Sequence, residues 1–220
     1  MRTIRVTGKG QIKIRPDTTR ITVSLTGLCK DYAETLRRSA EDTETLKDVL
    51  SGFGFERSDL KTLRFDVDTE YESCRDRNND YKQRFAGYRY NHMMKVEFAS
   101  DNDRLGRILY ALANCGVKPE FWISYTVKDP EAAKNLLLGK AVADAGEKAA
   151  VLTQAGGVRL GDIQSIDYSW GEVDFEYRPM GGAILAGKCM ARNADASFDL
   201  DVEPDDIEVT DTVTVVWEIG

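Results

Sequence analysis

Apolar residues along this chain change their spacing in a regular succession. From Thr18 to Leu28 the period is two. Ile21, Val23 and Leu25 share one side, and Arg20, Thr22, Ser24 and Thr26 the other, which predicts a half-buried strand. Asp31, with Glu34 three residues on, then forms a helix-start pattern. Leu36, Ala40, Thr43, Leu46, Leu50 and Phe53 follow at helical spacing, until Gly52 and Gly54 end the run. Leu60 to Tyr71 alternates again, with Leu63, Phe65, Val67, Thr69 and Tyr71 against Arg64, Asp66, Asp68 and Glu70. Polar residues from Ser73 to Lys82 predict a hairpin loop. The return strand, Phe85 to Phe98, sets Tyr88, Tyr90, His92, Met94, Val96 and Phe98 against Arg89, Asn91, Met93, Lys95 and Glu97. Ser100 or Asp101 caps a second helix with an apolar face of Leu105, Ile108, Leu109 and Leu112. Phe121, Ile123, Tyr125 and Val127 mark the next strand.

Strand, helix, strand, strand, helix, strand is the split βαβ, or ferredoxin-like, order. The predicted fold class is therefore α+β, with helices on one face of an antiparallel sheet. Beyond it, Asp129 as cap, Pro130 as first helical residue and Glu131 in the first turn announce a third helix. That helix is rich in alanine, from Ala132 to Ala150, a composition that permits close packing on another element. Ile163 to Phe175 and Val209 to Ile219 read as C-terminal strands. Between them, Glu176 to Ala196 has no period and is too long for an ordinary connection. At the other end, Val6 to Asp17 reads as a strand, a bend or close backbone approach at Gly8 and Gly10, and a second strand stopped by Pro16. One domain over 1–220 is expected, with the ferredoxin-like core at 18–128 and the third helix and C-terminal strands at 129–220.

Several of these pieces, in this order, resemble the SIMPL domain (DUF541) family. They are Gly8, Gly10 and Pro16-Asp17; Phe85-Ala86-Gly87-Tyr88 entering a strand; Leu105-Gly106 opening a helix; Ala141 to Ala155 followed by Gly156 and Leu160-Gly161; and the closing strand Ile207 to Val216. The resemblance implies a fold more than a reaction. The family includes bacterial envelope proteins linked to oxidative-stress defence, a periplasmic immunogenic protein that forms rings, and a eukaryotic signalling-associated protein. It supplies no catalytic motif to carry over.

Composition narrows the classes. Of 220 residues, 42% are hydrophobic, as in a globular core. No apolar run is long enough for a membrane helix. With strand-like residues starting at Thr3 and no export signal, the cytoplasm is expected, or the envelope if a leader has been removed. Acidic residues number 37 against 30 basic ones, and seven of the acids lie between Asp199 and Asp211 with no Lys or Arg among them. The rest of the chain is balanced, so no net positive field offers itself to nucleic acid. The four cysteines form no CxxC pair and read as reduced thiols.

Candidate chemistry is sparse. His92 is the single histidine; its ordinary titration range suits a general base, but its face, shared with Tyr88, Tyr90 and Met94, suits packing. Asp66, Asp68 and Glu70 share one strand face and would offer oxygen ligands to a divalent cation, or pair with Arg89 and Lys95 across the hairpin. No catalytic, cofactor or metal role is assigned to them. The expected function is a non-enzymatic, self-associating interaction or stress-related scaffold, with contacts at the Tyr71–Phe85 hairpin or at Glu176–Ala196. The alternative is a small-molecule binder or enzyme with a site near His92 or the Asp66/Asp68/Glu70 face.

Overall fold

The structure is a computed structural model that describes residues 2–75, 81–168, 174–178 and 203–220. Its elements are β1 (Thr3–Ile14), β2 (Thr18–Cys29), α1 (Tyr32–Ser51), β3 (Lys61–Arg75), β4 (Tyr81–Ala99), α2 (Asn102–Asn114), β5 (Glu120–Thr126), α3 (Pro130–Ala155), β6 (Leu160–Asp167), β7 (Glu176–Tyr177) and β8 (Ile207–Ile219). The fold is α+β with antiparallel sheets. By contact it separates into two compact units. One joins Met1–Asp17, Tyr125–Tyr177 and Pro204–Gly220; the other is built on Thr18–Ser124.

In the Thr18–Ser124 unit the strands lie in the order β3-β4-β2-β5. Ile21, Val23 and Leu25 of β2 and Tyr90, Met94, Val96 and Phe98 of β4 face Leu46 and Leu50 of α1 and Leu105, Ile108, Leu109 and Leu112 of α2. The alternation of β4 holds as predicted: Tyr90 and Met94 are buried, Arg89 is exposed and Lys95 half-exposed. Asp31 and Asp101 cap α1 and α2, accepting from the N–H groups of Glu34 and Arg104.

Two expectations in this unit are corrected. The face α1 buries is Thr35, Ser39, Thr43, Leu46 and Leu50; Leu36 and Ala40 are exposed. Short hydroxyls can be buried here because the helix itself satisfies them. Thr35 Oγ1 donates to the Asp31 carbonyl at 2.8 Å and Thr43 Oγ1 to the Ser39 carbonyl at 2.7 Å. The hairpin strands are also longer than predicted. β3 and β4 stay paired out to Arg75 and Tyr81, so residues 73–75 and 81–82 are in strand and not in loop. Cross-strand ion pairs such as Arg84 with Glu72 at 2.8 Å stabilise that extension.

The other unit is a three-stranded sheet, β1-β8-β6, covered by α3. The predicted bend in the opening segment is replaced by one unbroken strand, in continuous register with β8 from Thr3↔Glu218 to Ile14↔Ile207. Gly8 and Gly10 serve the close approach instead. A Cβ on Gly8 would lie 2.0 Å from the Ala141 carbonyl oxygen, and one on Gly10 2.2 Å from that of Leu137. The backbones of helix and strand touch because both have shed side chains, which explains the alanines of α3. Asp129 caps α3 as expected, accepting from Ala132 N–H at 2.9 Å. Asp17 accepts from Lys128 N–H at 2.8 Å, which ties the Pro16-Asp17 pair to the start of that helix. The expected strand at Ile163–Phe175 is replaced by β6, ending at Asp167, and the short β7, which pairs with Tyr125 and Thr126. Most of the Glu176–Ala196 segment, and with it Met180, Ile184, Leu185 and Met190, lies outside the described residues.

Candidate functional site

His92 sits near the middle of β4 on the helix-facing side, where it bridges three elements. Its Nδ1 lies 3.1 Å from Thr43 Oγ1 of α1, and its Nε2 lies 2.9 Å from Thr62 Oγ1 of β3. The donor arithmetic fixes the tautomer. The Thr43 hydroxyl spends its one proton on the Ser39 carbonyl, so towards His92 it can only accept, and Nδ1 carries the hydrogen. Nε2 is then the acceptor and takes the Thr62 proton. The Phe65 ring stands edge-on to the imidazole with centroids 5.1 Å apart. Burial, with the Lys47 charge adding to it, pushes the His92 pKa below its ordinary 6.5. A base so placed is weakened, and its Nδ1–H is oriented by a hydroxyl where a catalytic triad has a carboxylate.

Two residues away, Tyr90 is buried and donates its hydroxyl proton to the Asp42 carboxylate of α1. Its ring lies against Gly27 of β2, where a Cβ would come 2.4 Å from Cε1. Burial, then the bond to Asp42, raises the phenol well above its usual range. The sequence placed Tyr90 in the core but did not reveal the Asp42 partner; only a buried tyrosine's need for an acceptor hinted at one.

The acidic candidates lie on the opposite face of the sheet. Asp66 pairs with Arg64 at 2.9 Å and Glu70 with Arg89 at 3.0 Å. The hydrogen bond from Arg89 holds the Glu70 carboxyl below its ordinary value. Asp68 stands opposite Arg89 in the ladder. The structure therefore brings Asp66, Asp68 and Glu70 into one row with arginines and keeps His92 on the other side. Among the described residues no group of three or more His, Cys, Asp or Glu side chains is placed to hold a metal ion.

Beside His92 runs a feature that periodicity alone misread. Among the described residues β3 is the outermost strand of its sheet, and α1 rests on β2 and β4. Leu63, Phe65 and Tyr71 of β3 are consequently 50%, 45% and 55% exposed. Tyr71, Phe85, Tyr88 and Tyr32 continue this apolar strip ring to ring, at centroid distances of 6.1, 5.3 and 5.3 Å.

The family model for SIMPL, described as a protein of unknown function (DUF541), matches residues 4–217. The chain belongs to the SIMPL family. It is also similar to the 26 kDa periplasmic immunogenic proteins of Brucella abortus and Brucella melitensis, 28% identical to each over 163 residues. That stretch is 74% of this chain and 65% of either relative, so the chain spans just under two thirds of their length. The relatives' periplasmic name lends no support to the cytoplasmic expectation. No helix among the described residues is long and apolar enough to cross a membrane.

Proposed function

We propose that this SIMPL protein works by binding, as a self-associating scaffold, and not by catalysis. The observation that carries this reading is β6, an edge strand whose Ile163 and Ile166 are 50% and 51% exposed. α3, which touches β6, likewise exposes Val151 and Leu152. β6 carries acids only at Asp162 and Asp167, so a second copy can approach with little like-charge repulsion. The hairpin aromatics Tyr71, Tyr81 and Phe85 offer a further apolar surface. The relatives' name favours the bacterial envelope as the place of action, and the stress-related role belongs to the same proposal. Sedimentation velocity at tens of micromolar protein tests the reading. An oligomer that Ile163→Lys with Ile166→Lys dissociates is expected; a single monomeric species overturns it.

A second reading rests on the Thr62–His92 contact, in which a histidine nitrogen accepts from an exposed hydroxyl. This is the start of a nucleophile–base pair. Thr62 would then react faster than other hydroxyls with an acyl-transfer probe, and His92→Gln would abolish that difference. Equal labelling of all hydroxyls excludes it.

A further inference from the structure

We propose that β3 is a strand acceptor whose open edge takes up an extended polypeptide segment in which apolar residues alternate with lysine or arginine. This goes beyond self-association through the β6 edge and concerns the edge of β3. Three observations converge on it. Over Lys61–Arg75, β3 pairs with β4 and, among the described residues, with no strand on its other side, so alternate N–H and C=O groups point out of the sheet. From Arg64 to Arg75 no β3 residue is left out of the ladder: the Leu63 irregularity precedes this run, and at the second irregularity it is Ala86 of β4 that is skipped. That run is thus a regular template. Finally, its two faces differ. Phe65, Val67 and Tyr71 lie on the side with the aromatic strip, and Asp66, Asp68, Glu70 and Glu72 on the other.

Charge decides the occupant. On the inner side the carboxylates have Arg89 and Arg84 of β4, in addition to Arg64 of their own strand. A strand added outside would place its side chains about 5 Å from the same row. A second copy of β3, antiparallel about Asp68, would set Asp66 against Glu70 twice and Asp68 against Asp68, three like-charge pairs at the centre of the row against two Arg64–Glu72 pairs at its ends, a less favourable match than an all-basic row. Lysine or arginine at alternate positions reverses that sign, while the intervening apolar residues cover Phe65 and Tyr71. β1 shows the contrast. Its outer edge is occupied by its own chain, with Asp144 of α3 accepting from Lys9 N–H at 2.7 Å and Lys140 reaching the Gln11 carbonyl at 3.5 Å. β3 has no such cover among the described residues.

The experiment uses the full chain and a short labelled peptide of alternating valine and lysine, blocked at both ends, with binding read by fluorescence anisotropy. Two control peptides carry glutamate for lysine, or N-methyl groups on alternate peptide nitrogens. The lysine peptide should bind about ten-fold or more tighter than either control. Its affinity should fall as salt rises. Hydrogen exchange should slow within Lys61–Arg75 when it binds. Asp66→Lys with Asp68→Lys should invert the preference, so that the glutamate peptide binds better. If that pair misfolds, Asp68→Asn should still narrow it. Equal binding of all three peptides, no binding up to about 1 mM, or protection outside β3 overturns the proposal. So does an oligomer in which Lys61–Arg75 is already protected before peptide is added, since a second copy would then fill the edge. Sedimentation of the same samples separates the two ideas. A self-associating chain deaf to the lysine peptide defeats only the strand acceptor, and a monomer that binds it defeats only the self-association.

Discussion

The two helix-on-sheet layers of this protein are built by opposite means. Around β2 and β4 the core is made of large side chains, with Ile21, Leu25, Leu46, Met94, Leu105 and Leu112 all fully or almost fully buried. On β1 the contact is made by leaving side chains out, with Gly8 and Gly10 against the backbone at Leu137, Ala141 and Ala145, while β8 still buries Val213, Val215 and Trp217 beside the alanines of α3. The first layer gains from the area its side chains remove from water. The second gains from backbone proximity, which also lets α3 reach the edge of β1 with Asp144 and Lys140. A close helix can guard an edge; a helix held off by leucines, as α1 is, leaves the outermost strand bare. The lesson is local: where α3 packs closest, on β1, its side chains reach the strand edge, while β6 of the same layer stays exposed.

Removing atoms should therefore damage the first layer, and adding atoms should damage the second. Leu46→Ala is expected to cost about 3–4 kcal/mol in chemical denaturation, since Leu46 is fully buried between helix and sheet. Leu36→Ala, on the exposed side of the same helix, should stay within about 0.5 kcal/mol. A large loss at Leu36 would restore the face that periodicity suggested. In the second layer Gly8→Ala adds one carbon against backbone that cannot swing aside, and should cost about 2–3 kcal/mol. Gly139→Ala, in α3 but facing open space, should instead stabilise by about 0.5–1 kcal/mol. If both glycine changes had the same sign, close approach would not be what defines this layer. Asp129→Ala should cost about 1 kcal/mol by uncapping α3, with an unchanged denaturation midpoint as the contrary result.

The smallest effect expected is the pH response of His92. Its folded pKa is lowered, so the unfolded chain takes up the proton first as pH falls below about 6.5. Stability is full above that value, declines as pH drops towards the folded pKa, and levels off below it. The difference between the native chain and His92→Gln, followed by denaturation from pH 8 to 5, isolates this slope from the carboxylates. Parallel curves would mean that His92 titrates alike in both states.

What could be read from sequence depended on the range of the interactions. Helix caps at Asp31, Asp101 and Asp129 were legible because a cap bonds to an N–H three residues on. The buried face of β4 was legible because alternation is local. The face of α1 was legible only in part. Its second half, Thr43, Leu46 and Leu50, was placed correctly, but Thr35 and Ser39 look polar along the chain, and Thr35 is fit for burial only through its bond to the Asp31 carbonyl. Likewise, His92 was visible as a lone imidazole on an apolar face, whereas its Thr43 and Thr62 partners lie 49 and 30 residues away. The acidic row was visible as a row, but its arginine partners were only partly so: Arg89 follows from the hairpin register, and Arg84 fell between the expected loop and the expected return strand.

By itself the sequence determined the α+β class, the order of elements from β2 to α3, the helix starts and the membership of the SIMPL family. All of these rest on short-range periodicity, capping or the order of small motifs. Tertiary structure alone decided that β1 runs straight through its glycines, that α3 lies near enough to cover its edge, and that β3 is left outermost with Phe65 and Tyr71 in water. The reason is that a strand's alternation names two faces without saying which neighbour, if any, will cover them. That choice depends on how closely a helix from elsewhere in the chain can approach, and here it is set by the size of the residues it meets.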